Sequence, residues 1–256
     1  KEEKNKTLTP AIVFPDRYDP PDKLKASNLY KKGLLAAREE TLASKIKASK
    51  LFAESLSYNY NDNPAANKLI FYYSDLLKDS KVKIQDANIV FKLVQIFNNK
   101  MYLDPHYASA ILYFYFNIER YSAALRIFDK YITLNRKVAS ETLFAVRLLS
   151  LIEAGKLDLA SQMAKQLNSI DNKKFITLKA LIKFYKLEQK NQRLNALILK
   201  GQELFPKSAF FLIEKGYQQV KVSDVEGLKK TLLKLKKMGY ERSLNYKSDY
   251  LTLMGF

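Results

Sequence analysis

One pattern limits the folds open to this chain more than any other. Ala124, Phe128 and Tyr131 form an i, i+4, i+7 row, which is one face of a helix. The row returns as Ala160, Ala164 and Leu167, as Leu194, Ile198 and Gly201, and as Leu228, Leu232 and Leu235. Its first members stand 36, 34 and 34 residues apart. Ala48–Phe52–Ser55 and Ala87–Phe91–Val94 read as more divergent copies. A face recurring at a period near 34 predicts helical hairpins stacked in file. One hairpin buries too few side chains to offset the entropy of ordering itself, so each needs a neighbour on its exposed face.

The rest of the chain agrees with an all-α fold. Leu, Ala, Lys and Glu are good helix formers and dominate it, while seven Gly and seven Pro are too few for the turns of an all-β protein. Helix breaks are expected at "NDNP" (Asn61–Pro64), "LDP" (Leu103–Pro105), "NRKVAS" (Asn135–Ser140), "EAGK" (Glu153–Lys156), "SIDNKK" (Ser169–Lys174), "EQKNQ" (Glu188–Gln192), "FPKS" (Phe205–Ser208) and "KVSD" (Lys221–Asp224). Asn63-Pro64 and Asp104-Pro105 each couple a capping residue to a proline at the first helical position. Asp22 is a further N-cap. Four segments follow: an extended Pro-containing arm at 1–21, divergent helical hairpins at 22–104, regular repeats at 105–240, and a capping or docking segment at 241–256.

From Asp22 to about Met238, and most closely after Pro105, the chain resembles the tetratricopeptide family of helical repeats. Tyr115, Tyr121, Ala124, Phe128 and Leu134 carry the likeness in one unit. Leu148, Leu151, Gly155, Leu157 and Ala160 carry it in the next, then Tyr185, Ile198, Gly201, Leu204 and Pro206, and last Gly216, Leu228 and Leu232. The resemblance implies a right-handed superhelical solenoid of about five to six antiparallel helix pairs. The first helix of each pair would line a concave surface. The competing architecture is an irregular helical bundle with coincidental spacing.

Signatures of catalysis are missing. There is no GxGxxG, P-loop, HExxH or GxSxG, and no cysteine to serve as a nucleophile or metal ligand. The single histidine, His106, has no partner that the sequence places beside it, and adjacent acids such as Glu39 and Glu40 diverge around a helix. A surface or packing role is expected for His106. No catalytic residue, metal or cofactor is expected, and no small-molecule substrate.

Binding is the better expectation. Mapped onto first helices, the inner surface would be formed by Ser109, Tyr113, Phe116 and Asn117, then Thr142, Leu149 and Glu153, then Lys179, Lys183 and Lys186, and finally Ile213, Tyr217 and Lys221. Lys179, Lys183 and Lys186 make a basic stripe suited to a peptide carrying acidic groups. Lys229, Lys230, Lys234, Lys236 and Lys237 form a second basic surface opposite Leu228, Leu232 and Leu235. It reads as the solvated side of a capping helix or as a contact for an anionic membrane or nucleic acid. The formal net charge is +18, which attracts anionic partners through the long-range field. Arg is scarce, although its planar fork suits phosphate best.

The leading functional expectation is therefore a non-enzymatic scaffold that holds a partner segment in the groove. Two alternatives remain. One is an RNA-binding array resembling pentatricopeptide repeats, suggested by "LLKLKKMGYER" and "LLSLIEAGKLDLASQM". The other is an accessory helical domain of a larger enzyme. The lack of cysteine and of an initiating Met favours a periplasmic or envelope site over the cytoplasm, with a signal peptide or lipid anchor upstream and a role in assembly or export.

Overall fold

The computed structural model describes residues 21–39, 41–59, 63–77, 91–95, 105–134, 140–170, 173–239 and 247–256. The arm expected at 1–21 lies outside these residues except for Pro21, and so do Ala87, Asp104 and the start of the C-terminal segment. Every regular element among the described residues is helical. The helices are α1 (Lys23–Ala37), α2 (Leu42–Tyr58), α3 (Asn63–Leu76), α4 (Pro105–Asn117), α5 (Tyr121–Leu134), α6 (Glu141–Glu153), α7 (Leu157–Asn168), α8 (Phe175–Leu187), α9 (Asn191–Leu204), α10 (Ala209–Lys221), α11 (Val225–Lys237) and α12 (Lys247–Met254). Residues 91–95 are helical as well. None of these helices is long and apolar enough to cross a membrane.

Helix starts follow local chemistry. Asp22 accepts a hydrogen bond from the Lys25 amide at 2.9 Å, as a capping aspartate should. Thr41 and Ser44 cap α2 reciprocally, each side chain accepting from the other's backbone N–H. Ser140 accepts from the Leu143 amide, and Asp224 from the Gly227 amide. α4 begins at Pro105, where the proline signal puts it, and α3 begins at Asn63, one residue before Pro64.

The helices pack on their chain neighbours in pairs: α4 with α5, α6 with α7, α8 with α9, and α10 with α11. The first helices also touch in file, α3 on α4, α4 on α6, and α6 on α8. Each second helix except the last leans on the first helix of the next pair, α5 on α6, α7 on α8 and α9 on α10. The recurrent row makes these contacts. Ala124, Phe128, Tyr131, Ala160, Ala164, Leu167, Leu194, Ile198, Leu228 and Leu235 are all buried. Small residues at the head of the row let the paired helices approach. Phe128 then fills the space toward the next pair, 6.0 Å from the Phe144 ring and under the Arg147 guanidinium. The divergent row obeys the same rule, with Ala48, Phe52 and Ser55 buried and the Ser55 hydroxyl donating to the Ala26 carbonyl. At Gly201 the approach is close: a Cβ there would lie 2.2 Å from the Phe211 ring.

Each of the four regular pairs turns through the same three-residue loop. Its middle residue is left-handed: Glu119 (φ 62°), Gly155 (φ 69°), Gln189 (φ 55°) and Ser223 (φ 58°). The following amide closes a six-residue ring on the first helix, Arg120 to the Tyr115 carbonyl, Lys156 to Leu151, Lys190 to Tyr185 and Asp224 to Gln219. The preceding amide donates inside that ring, as in a Schellman cap. These turns repeat at the same 36, 34 and 34 residues as the buried row.

Two predictions follow from this geometry. Gln189→Gly and Ser223→Gly should each raise the unfolding free energy by about 1 kcal/mol, because a side chain in the left-handed region is strained, whereas Gly155→Ala should lower it; urea denaturation measures both. Gly201→Ala should cost about 1–3 kcal/mol by overpacking against Phe211, read in the same assay.

Candidate interior binding site

The first helices and the N-terminal hairpin curve around a cavity of about 670 Å³. Tyr30 and Leu34 of α1 and Lys45 of α2 form one side. Asn67, Lys68, Phe71, Tyr72 and Asp75 come from α3, and His106, Ser109, Ala110 and Tyr113 from α4. Thr142 of α6, the stretch Lys173–Ile176 and Phe205 complete it. Residues more than a hundred positions apart thus share one wall. A second remote tie lies between Lys207 and Glu39, whose charged groups are 2.6 Å apart. None of α1–α3 packs lengthwise on α8 or α9, and the ties described between these regions run through side chains.

Asp75 is the electrostatic centre of the wall. Its Oδ1 accepts from the Tyr113 hydroxyl at 2.6 Å, and its Oδ2 takes a charge-assisted hydrogen bond from Lys45. Lys45 is itself buried and lies 5.1 Å from the centre of the Phe175 ring on α8. Burial works against the Asp75 charge. The ammonium groups of Lys45 and Lys179 and the hydrogen bonds from Lys45 and Tyr113 outweigh it, holding the carboxyl well below its ordinary value of 3.8. One ion pair thereby joins α2 to α3, and its cation reaches α8. Phe71 stacks on Tyr113 at 4.5 Å, and Phe175 meets Phe205 edge-on at 5.6 Å.

The residues expected on the inner face divide into three groups. Tyr113, Ser109 and Thr142 line the cavity. Phe116, Asn117, Leu149 and Ile213 are buried in the core and are not among the residues that line the cavity. Phe116 stacks near Tyr113, the Asn117 amide donates to the Tyr113 carbonyl at 3.0 Å, and Leu149 packs among the residues of α4 to α8. Their helix is covered on more sides than a one-faced pattern assumes, since α4 and α6 each touch helices before and after them.

The basic stripe has partners on adjacent helix pairs. Lys183 pairs with Glu153 on α6, and Lys186 pairs with Glu214 on α10 at 3.0 Å while lying 4.8 Å from the Tyr217 ring centre. Lys179 lies 5.9 Å from the Phe210 ring centre. Lys221 donates to the Asn191 side chain at 2.9 Å. The stripe therefore ties adjacent pairs together. Tyr217 donates to Asp249 of α12 at 2.6 Å. Burial and then that bond push its hydroxyl up to about 12. Lys229, Lys230, Lys234, Lys236 and Lys237 are exposed on α11, where Lys229 pairs with Glu226 at 3.1 Å.

The sequence reading missed Lys45, Lys68, Asp75, Lys173, Lys174 and Phe175. One signal was present: Asp75 is the lone acid inside the apolar run "FYYSDLL", where a charge needs a partner. His106, expected on the surface or in packing, is exposed and borders the cavity. Among the described residues, no group of three His, Asp or Glu side chains is arranged to hold a metal ion.

Removing Lys45 by Lys45→Met should cost about 2–3 kcal/mol at pH 7, because it leaves a mostly buried carboxylate without its ammonium partner. The Asp75 contribution is full above about pH 4 and is lost as the pH falls below the ordinary carboxylate value. Between pH 5 and 2.5 the urea midpoint of the wild type should therefore drop more steeply than that of Asp75→Asn. No protein-family model matches this sequence, and no curated protein matches it either.

Proposed function

We propose that this protein is a non-enzymatic binding scaffold, a tetratricopeptide-like right-handed solenoid of about five to six helix pairs. It holds a segment of a partner protein against its inner face. The observation that carries the reading is the composition of one wall: α3, α4 and α6 each contribute to it, and the start of α8 completes it with Lys173–Ile176. Aromatic rings and ammonium groups converge there, a combination that suits an apolar segment bearing acidic groups. Polar residues at the turns and aliphatic residues between pairs serve the stacking, which leaves the interior for recognition.

Phage display of random dodecapeptides on the full chain tests this. The wild type should enrich a related set of peptides. Thr142→Trp and Lys68→Glu, both checked for folding by circular dichroism, should each reduce that enrichment by about tenfold. No enrichment by the wild type, or equal enrichment by the variants, overturns the reading.

A further inference from the structure

We infer that the exposed face of α11 is a docking surface for a lipid bilayer with anionic headgroups, and that Leu233 is the side chain that enters it. This goes beyond the scaffold reading and rests on a different part of the molecule. One side of α11 is closed by its neighbours. Leu228 and Leu235 are buried with Leu212 of α10 and with Tyr250 and Leu253 of α12, and the Thr231 hydroxyl donates to Gln219 of α10 at 2.8 Å. Leu233 lies two positions before Leu235, about 200° around the helix. It therefore points away from that core, and it is 53% exposed.

The surroundings of Leu233 decide what it can serve. Residues three and four apart are neighbours on a helix surface. The four such positions around Leu233 are Lys229, Lys230, Lys236 and Lys237, all exposed, with Lys234 exposed beside them. Lysine stems can fold over an apolar neighbour, but the exposure of Leu233 means that these leave it bare. Among the described residues, only Lys229 of the five has an ion-pair partner, Glu226. The same face sets Lys230 against Lys234 and Lys234 against Lys237, like-charge pairs that weaken a helix. The helix dipole favours Lys234, Lys236 and Lys237 in the last turn. It accounts for neither Lys230 nor the leucine at the centre of the cluster.

An anionic bilayer suits both features. Each lysine near such a surface gains attraction, and the repulsion within the cluster is offset. Leu233 reaches acyl chains while the lysine ammonium groups stay among the headgroups. Flexible point charges suit headgroups that rearrange around them. A nucleic acid would use the charge alone: α11 has no Arg to grip a phosphate with a planar fork and no aromatic ring on which a base could stack.

Cosedimentation of the full chain with vesicles tests the inference. Phosphatidylcholine vesicles with about one third phosphatidylglycerol should be bound about a thousandfold more tightly than phosphatidylcholine alone. Lys230→Gln with Lys236→Gln and Lys237→Gln should lose about a hundredfold of that affinity. Lys31→Gln with Lys32→Gln and Lys50→Gln makes the same charge change at exposed sites of α1 and α2. It should lose less than about threefold, because salt confines each charge to its own surroundings. Leu233→Gln should weaken binding by about tenfold. The chain has no Trp, so in Leu233→Trp the indole emission reports this position alone. It should shift to shorter wavelength on the anionic vesicles and stay unmoved on phosphatidylcholine. Melting curves confirm that each variant folds.

Equal binding to the two kinds of vesicle overturns the inference. So does an equal loss in the two lysine triples, or an indole emission that anionic vesicles leave unmoved. If Leu233→Gln binds vesicles as the wild type does, and an oligouridylate is held through the same three lysines, the face belongs to a nucleic acid and the inference fails.

Discussion

The contact between one helix pair and the next is the constraint from which the rest of the structure follows. No pair closes its own apolar face. Phe128 lies against α6, and Ala124, Ala160, Ala164 and Ile198 belong to the same continuous core. The core is accordingly drawn out along the chain as three successive clusters instead of one central mass. Each cluster borrows side chains from the adjoining pair, and Phe71, Tyr115 and Ile127 serve two at once. Stability in such a stack is a sum of neighbour terms, which makes small residues at the crossing points as consequential as large ones in the core.

The turns express the same constraint in the backbone. Four loops of identical length and hydrogen bonding set the separation of the paired helices. Only one of the four left-handed positions is glycine. Fixed turn geometry is needed because the buried row must meet its partner at the right height. A one-residue change in any loop would turn that row by about 100° around the helix. The chain tolerates strained Glu119, Gln189 and Ser223 in place of a different turn.

Legibility in the sequence followed periodicity. The all-helical class, the cap at Asp22, and the row from Ala124 to Leu235 were readable because local chemistry and repetition report local geometry. The turn after α4 was not, since Ile118, Glu119 and Arg120 contain neither Gly nor Pro, and the left-handed conformation there is imposed by the flanking helices. The interior wall was harder still. Lys45 and Asp75 are 30 residues apart and Phe175 lies another hundred beyond, so their meeting depends on how far the stack curves. Curvature accumulates from small angles at every interface and has no short sequence signature. The partners of the lysine stripe were hidden for a related reason. Its spacing was correct, but Glu153 and Glu214, which accept Lys183 and Lys186, sit on neighbouring pairs that a single-helix pattern cannot see.

Repeat arrays commonly grow or shrink in evolution by duplicating or deleting a unit. The side-chain ties of Glu39 to Lys207 and of Lys45 to Phe175 remove that freedom here. Inserting one hairpin between them would rotate and lift the far partner away, and no backbone ladder exists to hold the halves together. The number of units between the N-terminal hairpin and α8 is thus fixed by the hollow they enclose, so gain or loss is tolerated only outside that span.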